Sequence, residues 1–209
     1  MCLNVEPLYN ILYDDDVKNI YLKCKNKYMS LDEKYHNRFT HIEGVCQMAT
    51  FLAKIYNVDI KKAQIAALLH DYFKYESNEE MEAMLDTKEE VEECKECPVL
   101  YHAYASSKAL SKIFGIYDKE IENAIKYHVF GKPNMTKLEE IVLISDYTEP
   151  NRKYDDCIKT RNVLLEGKMN EAIYMSTLQT IKHLEKNNIK PHPIQYEVLK
   201  EYERKINNE

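Results

Sequence analysis

A His-Asp pair at the polar end of an apolar helical run constrains this chain more than any other feature of its sequence. His70 and Asp71 directly follow the apolar residues 65–69, and Asp59 precedes the run where a helix cap would stand. The pattern predicts a helix over residues 60–75 that carries both side chains. A buried Asp beside a buried His is costly unless a cation or a polar partner satisfies it. The pair therefore points to an ion site.

The rest of the chain favours helices over strands. Gly and Pro account for only 4 and 6 of the 209 residues, while helix-forming residues are plentiful. We expect an all-α fold, a single-domain helical bundle. An N-terminal arm and first helix, residues 1–29, would form one compact unit with a domain of residues 30–209. Ser30 and Glu33 have the spacing of a capping box and predict a short helix through Asn37, with the next helix starting at Thr40.

The acidic segment 76–97 predicts a short amphipathic helix followed by a mobile loop, with a lid over the site as one hypothesis. It contains Cys94 and Cys97, whose spacing is more often chance than a thiol site. Scattered cysteines, no apolar run near the ~20 residues of a membrane span and no signal-peptide pattern favour a cytoplasmic protein without a membrane partner.

The net charge of −6 argues against a nucleic-acid partner. A homodimer through the C-terminal helices stays open at this stage, because those helices carry apolar faces whose partner the sequence does not identify.

Six side chains form a candidate set of metal ligands. Each stands at the polar end of an apolar helical run: His41, His70, Asp71, His102, His128 and Asp146. Any one such His is more often an ordinary core or surface residue. The series of six, rather than a single His, therefore indicates a metal site. Nitrogen and carboxylate ligands suit Fe, Mn, Co, Ni or Zn. Six ligands are too many for one catalytic ion with an open position, and they fit two ions that share a carboxylate.

Four stretches give the chain a resemblance to a known family: RFTHIEGV (38–45), IAALLHDYFKY (65–75), LYHAYASS (100–107) and FGIYDKEIENAIKYHVFGKPNMTKLEEIVLISDYTEPNR (114–152). The chain resembles the HD superfamily of metal-dependent phosphohydrolases. More closely, it resembles the YqeK-like branch, the symmetrical bis(5′-nucleosyl)-tetraphosphatases. The resemblance implies a first metal ion on His41, His70, Asp71 and Asp146. It implies a second on His102 and His128, with Asp71 bridging, and two divalent ions, with iron first among the candidates.

The resemblance also implies a nucleotide site near Lys74, Glu149 and Arg152. Lys74 would stabilise the transition state as a point charge one helical turn past His70. Arg152 would make a bidentate phosphate contact, and Arg38 is a weaker phosphate candidate. The implied reaction is symmetrical cleavage of diadenosine tetraphosphate to two ADP by metal-activated hydroxide, with Asp71 and Lys74 as catalytic residues. One ADP half would occupy a pocket and the other would lie toward solvent.

The sequence departs from the family pattern next to the ligands, at Ala103, Ser106, Val129, Ser145 and Asn151, which bears on substrate preference. Alternatives stay open for this reason. One is an HD-type nucleotidase or cyclic-dinucleotide phosphodiesterase with the same site. Another is a non-catalytic nucleotide- or metal-binding regulatory module, and the last is a plain helical scaffold. The 17 Tyr residues leave the side chain that stacks on the base unidentified.

Overall fold

A computed structural model describes residues 12–208, and these residues form eleven α-helices and one 3₁₀ turn with no strand. The predicted all-α class is confirmed. Most of the predicted N-terminal arm before the first helix lies outside the described residues. The helices are α1 Asp15–Met29, α2 His36–Ile55, α3 Ile60–Leu69, α4 Asn78–Glu82, α5 Lys88–Glu96, α6 Leu100–Lys112, α7 Lys119–Lys126, α8 Lys137–Thr148, α9 Asp155–Leu165, α10 Met169–Lys186 and α11 Pro193–Asn207.

Four helices, α2, α3, α7 and α8, pack against one another at the centre of the bundle. Their apolar faces supply fully buried side chains such as Leu52, Leu68, Ile125 and Ile144. Helix α1 covers α2 and α3, while α9, α10 and α11 pack beside α8. A second apolar cluster joins α6 to the turn after α3 and to α5. The polar ends of the central helices therefore converge on one region. Over the described residues no helix combines the length and the apolarity that crossing a bilayer requires.

Replacing Leu52 by Ala should lower the free energy of unfolding by about 2–5 kcal/mol, because the side chain lies at 0% exposure in the central core. Urea unfolding followed by circular dichroism measures the change. The matched control is Ile189→Ala, at a side chain that is 54% exposed, for which we expect less than about 0.5 kcal/mol. Equal effects at the two positions would contradict the packing described here.

The capping box predicted at Ser30 is wrong. Ser30 instead ends α1, where its hydroxyl donates to the Lys27 carbonyl oxygen at 2.7 Å. A 3₁₀ turn over Glu33–Tyr35 follows, and α2 begins at His36 rather than at Thr40. Serine hydroxyls bond local backbone groups at either end of a helix, so the sequence pattern alone does not choose between these ends.

The helix predicted over residues 60–75 also ends early. Asp59 caps its start as expected, but α3 stops at Leu69 and His70 occupies the C-cap. The chain then turns tightly, with Lys74 N–H donating to the Asp71 carbonyl oxygen at 2.8 Å. Phe73 N–H donates to Ser106 Oγ in α6 at 3.0 Å. The Ser106 hydroxyl thus satisfies the backbone N–H of Phe73, which no longer belongs to a helix. Lys74 lies in the turn and not on the helical face predicted for it.

The mobile loop predicted within residues 76–97 is wrong as well. The segment forms α4 and α5, whose N-termini Ser77 and Thr87 cap. Glu90 pairs with Lys126 at 2.8 Å, and Cys94 is fully buried as a free thiol. A segment held by ion pairs and a buried side chain does not favour the lid hypothesis.

Candidate metal centre

The structure brings all six predicted ligand residues together. They come from the body of α2, the end of α3, α6, the turn after α7 and α8. Three overlapping groups have ligand atoms within 4.8 Å of one another: His41, His70 and Asp71; His70, His128 and Asp146; and Asp71, His102 and His128. A bundle whose helices end at one region thus supplies the whole set.

Asp71 lies at the centre of this cluster. Its Oδ2 is 3.3 Å from His70 Nε2 and 3.9 Å from His41 Nε2. Its Oδ1 is 3.2 Å from His102 Nε2 and 3.8 Å from His128 Nε2. The two carboxylate oxygens therefore face two different pairs of imidazoles, the arrangement that a carboxylate shared by two ions needs. Asp146 Oδ1 lies 3.0 Å from His41 Nε2 and joins the Oδ2 side.

In two of the His side chains, the ring nitrogen that points away from the cluster, Nδ1, has a hydrogen-bond partner in the backbone. Nδ1 of His70 lies 2.6 Å from the Ala67 carbonyl oxygen, and Nδ1 of His128 lies 2.7 Å from that of Ile125. A carbonyl oxygen only accepts, so each Nδ1 carries the proton and donates it. In the neutral ring Nε2 then keeps a lone pair that faces the cluster, which is the tautomer of a metal ligand. Both carbonyls belong to the helix end just before the His, which explains why the ligands follow the apolar runs.

The residues present fit a divalent metal ion. Three buried ligand atoms of the cluster lack a hydrogen bond of good geometry to any described residue, despite short contacts within the cluster: His41 Nε2, His70 Nε2 and Asp71 Oδ1. Buried polar atoms without partners are costly, and a cation would satisfy all three.

The protonation states suit a metal site too. Burial, helped by His70 and His102, lowers the pKa of His128 to about 3, so this imidazole is neutral at pH 7. Burial alone would raise the pKa of Asp71. The neighbouring His70 and His102 outweigh that effect and hold the pKa of Asp71 well below its usual range. The cluster therefore presents a neutral imidazole and an ionised carboxylate, the protonation states in which these groups bind metals.

Three predicted phosphate-contacting cations also reach the cluster. Arg38 Nη1 lies 2.9 Å from Asp71 Oδ2. Arg152 Nη2 lies 2.9 Å from Asp146 Oδ1, and its Nε donates to the Asp146 carbonyl oxygen at 2.7 Å. Lys74 Nζ is 3.1 Å from His102 Nε2 and 3.6 Å from Asp71 Oδ1. Positive charge thus surrounds the acidic ligands from several sides.

Glu149, predicted to contact substrate, lies next to the His41 ring on its Nδ1 side. Its side chain is 3% exposed, and Oε1 is 3.4 Å from His41 Nδ1. Its Oε2 accepts from the Asn151 N–H at 2.6 Å. Gly44 in α2 faces this carboxylate, and a Cβ there would collide with Glu149 Oε2. The contacts give Glu149 a role in orienting a ligand, and its contact with substrate stays a prediction.

Arg161 in α9 is a supporting residue that sequence reasoning missed. Its guanidinium donates to the carbonyl oxygens of Thr148, Glu149 and Arg152 at 2.7, 2.6 and 2.7 Å. These bonds fix the backbone of the loop that carries Glu149 and Arg152. Nothing in the local sequence distinguishes this Arg from a surface residue, because its partners are carbonyl groups of another segment.

Replacing Glu149 by Ala should weaken metal binding about 10- to 100-fold, because His41 would lose the carboxylate that holds its outer nitrogen. Competition with a chromophoric chelator measures the affinity. Glu166→Ala is the control, since Glu166 is a surface residue that pairs with Lys168. An unchanged affinity in Glu149→Ala would show that His41 is oriented without this contact.

Two clefts open on the cluster. The Lys74 cleft has a volume of about 280 Å³, and the Arg38 cleft has a volume of about 500 Å³. Arg152 lines both. The Lys74 cleft joins the polar side chains Lys74, His102, His128 and Asp146 to the apolar or aromatic Phe130, Leu143 and Tyr147. The Arg38 cleft is lined by Arg38, His41, Tyr75, Lys153 and Tyr154, among others.

Comparison with known proteins agrees with this geometry. A family model described as "HD domain" matches residues 38–151. The chain is 36% identical over 153 residues to a symmetrical bis(5′-nucleosyl)-tetraphosphatase of Bacillus subtilis, covering 73% of this chain and 82% of that protein. It is 35% identical to one of Halalkalibacterium halodurans over 153 residues, covering 73% and 81%.

A solved structure from Clostridium acetobutylicum is also similar. That protein is described as a predicted HD superfamily hydrolase involved in NAD metabolism. Its TM-score is 0.76 at 29% identity, and the match covers 94% of this chain and 100% of the other. The likeness extends beyond the HD match, so it includes the C-terminal helices.

Proposed function

Because this chain belongs to the HD domain family, we propose that it is a metal-dependent hydrolase that cleaves diadenosine tetraphosphate symmetrically into two ADP. The observation that carries the proposal is the cluster of four His and two Asp, in which His41 Nε2, His70 Nε2 and Asp71 Oδ1 are buried without a hydrogen-bond partner among the described residues. The names of the relatives supply the substrate class and the symmetry of the cut. The clefts on the cluster supply room for a nucleotide.

The site binds divalent metal, and we propose two ions. His41, His70, Asp71 and Asp146 would hold one, and His102 and His128 would hold the other, with Asp71 shared. Iron is the proposed metal, with Mn, Co, Ni and Zn as alternatives that the same ligands suit. Bound ions of this kind lower the pKa of water and neutralise phosphoryl oxygens. The two faces of Asp71 favour this division, because each oxygen meets a separate pair of imidazoles.

The protein's own cations bind and orient the polyphosphate. Lys74 would contact a phosphoryl oxygen from the Lys74 cleft, and Arg38 from the opposite side. Arg152 can reach a phosphate from either cleft. In the reaction a water oxygen bonds to an inner phosphorus and the central P–O bond breaks. The departing ADP keeps the bridging oxygen, and the water proton is released, so one water is consumed for two ADP formed.

Turnover of diadenosine tetraphosphate tests the proposal. Metal-free protein is supplemented separately with Fe²⁺, Mn²⁺, Co²⁺, Zn²⁺ or Mg²⁺, and the products are separated by chromatography. We expect ADP as the sole product and no turnover in the presence of excess chelator. ATP plus AMP would mean a different position of cleavage. No turnover of this substrate, with hydrolysis of a nucleoside monophosphate instead, would favour a nucleotidase.

Three expectations stay predictions: the division of the chain at residue 30 into arm and domain, a homodimer through the C-terminal helices, and a cytoplasmic location. The first is compatible with α1 packing on α2 and α3. Analytical ultracentrifugation of the purified protein tests the second.

A further inference from the structure

We propose that the Arg38 cleft is the binding site for the second nucleotide half of the substrate. The inference rests on the proposed function, because it concerns the half of diadenosine tetraphosphate that does not occupy the Lys74 cleft. A substrate that is symmetric about the broken bond carries the same nucleoside diphosphate on each side of that bond. A site that binds both nucleotide halves of the substrate needs two clefts on opposite sides of the metal ligands.

The position of the Arg38 cleft meets this need. His41, on the Oδ2 side of Asp71, lines it, whereas His102 and His128, on the Oδ1 side, line the Lys74 cleft. Arg152 lines both and touches Asp146 between them. A polyphosphate that crosses the cluster would therefore pass from one cleft to the other beside a single guanidinium.

The charge of the cleft suits a diphosphate. Arg38, Arg152 and Lys153 line it, in a chain whose net charge is −6. The acid in its lining is Glu149, which is 3% exposed and engages His41 and the Asn151 N–H. The lining of the cleft thus carries three cations against one buried carboxylate, and two of these cations, Arg38 and Arg152, also pair with the cluster carboxylates Asp71 and Asp146 at 2.9 Å. Guanidinium groups also match the geometry of phosphate oxygens.

The cleft also offers aromatic faces to a base. Tyr75 is 41% exposed and Tyr154 is 73% exposed, so both rings are accessible to a ligand. The Tyr75 ring is held 4.3 Å from the ring of Tyr35, and the Arg38 guanidinium lies 5.9 Å from its centre. Tyr154 is the N-cap residue of α9 and lines the cleft. Bases stack on aromatic side chains, so Tyr154 is the residue that we assign to the second adenine.

The Lys74 cleft has aromatic side chains of its own, Phe130 and Tyr147, and the Phe130 ring stacks on His192 at 5.3 Å. Each half of the substrate would then have a cation and an aromatic wall. The expectation that the second half lies toward solvent is the alternative that the following experiments test.

Binding of ADP to the metal-loaded protein tests the inference without turnover. Isothermal titration calorimetry should find two ADP sites in the wild-type protein. In Tyr154→Ala one site should weaken about 5- to 100-fold, the range of a lost base–aromatic stack, and the other should stay unchanged. Lys153→Ala should weaken the same site. Tyr117→Ala is the matched control, because Tyr117 is 87% exposed and lines neither cleft.

Kinetics with two substrates give a second readout. Tyr154→Ala should raise KM for diadenosine tetraphosphate about 5- to 100-fold. For adenosine 5′-tetraphosphate, which has one nucleoside, the change should stay within about twofold, because its adenosine still has the Lys74 cleft.

The outcomes separate the two proposals. Wild-type protein that hydrolyses diadenosine tetraphosphate but binds one ADP, or whose Tyr154 and Lys153 variants match Tyr117→Ala, would overturn the second site alone. Protein that binds two ADP with the expected losses in those variants, yet hydrolyses no dinucleoside tetraphosphate, would overturn the proposed function and leave the second site supported.

Discussion

Asp71→Asn should lower the rate of diadenosine tetraphosphate hydrolysis by about 10³-fold or more, the largest effect that we expect of any substitution. Asp71 is the one cluster residue whose two oxygens face both pairs of imidazoles, at 3.3 and 3.2 Å from His70 and His102. An Asn side chain has nearly the same shape but offers one neutral oxygen. If the transition state loses several kcal/mol of stabilisation by the metal ions, the rate falls by about this factor.

Metal content and thermal stability distinguish this loss from misfolding. Wild-type protein should melt at a higher temperature when metal is added, because the ions bind the folded state. Asp71→Asn should keep its helical circular dichroism but lose most of that shift. Asp32→Asn is the control, since Asp32 has a 78% exposed side chain on the surface. A variant that keeps wild-type metal content and rate would exclude Asp71 as a shared ligand.

Lys74→Gln should lower kcat about 10²- to 10³-fold while metal content stays near that of the wild type. Lys74 lines the Lys74 cleft and lies 3.1 Å from His102 Nε2, beside the cluster rather than within its set of ligands. A positive charge at this place stabilises negative charge that develops on the phosphoryl oxygens, and such groups are worth about this factor. Steady-state kinetics with elemental analysis of the same samples measures both quantities.

Lys74→Arg should recover part of the lost rate, because it restores the charge with a different geometry. The control is Lys18→Gln on the exposed face of α1. A fall in metal content equal to the fall in rate would mean that Lys74 acts on the metal site through Asp71 instead of on the substrate.

The gathering of the six candidate ligand residues could be predicted from sequence partly because some of them have a local signature. His70 and His128 follow apolar helical runs, and their Nδ1 atoms bond carbonyl groups three residues earlier, at Ala67 and Ile125. Both the pattern and the bond are local, so the position in the sequence determines the position in space. The helix cap predicted at Asp59 followed from an equally local rule.

The features that escaped prediction depend on residues far apart in the chain. Helix α3 ends at Leu69 partly because Phe73 bonds Ser106, which is 33 residues away. Glu149 reaches His41 across 108 residues. Side chains with distant partners look like ordinary surface residues in the sequence. The two clefts are also formed by residues that are distant in the chain, so the sequence does not predict them. It likewise does not single out Tyr154 among the 17 tyrosines.

The three hydrogen bonds of Arg161 show that residues beyond the HD match support the cluster. The HD match stops at residue 151, yet Arg161 fastens Thr148 and Glu149 from ten or more residues beyond them. Arg152, which touches Asp146, also lies past the match. A chain cut at residue 151 would keep every His and Asp of the cluster and lose the fastening that aligns them. The structural unit that supports the cluster therefore extends beyond the residues that the family model matches.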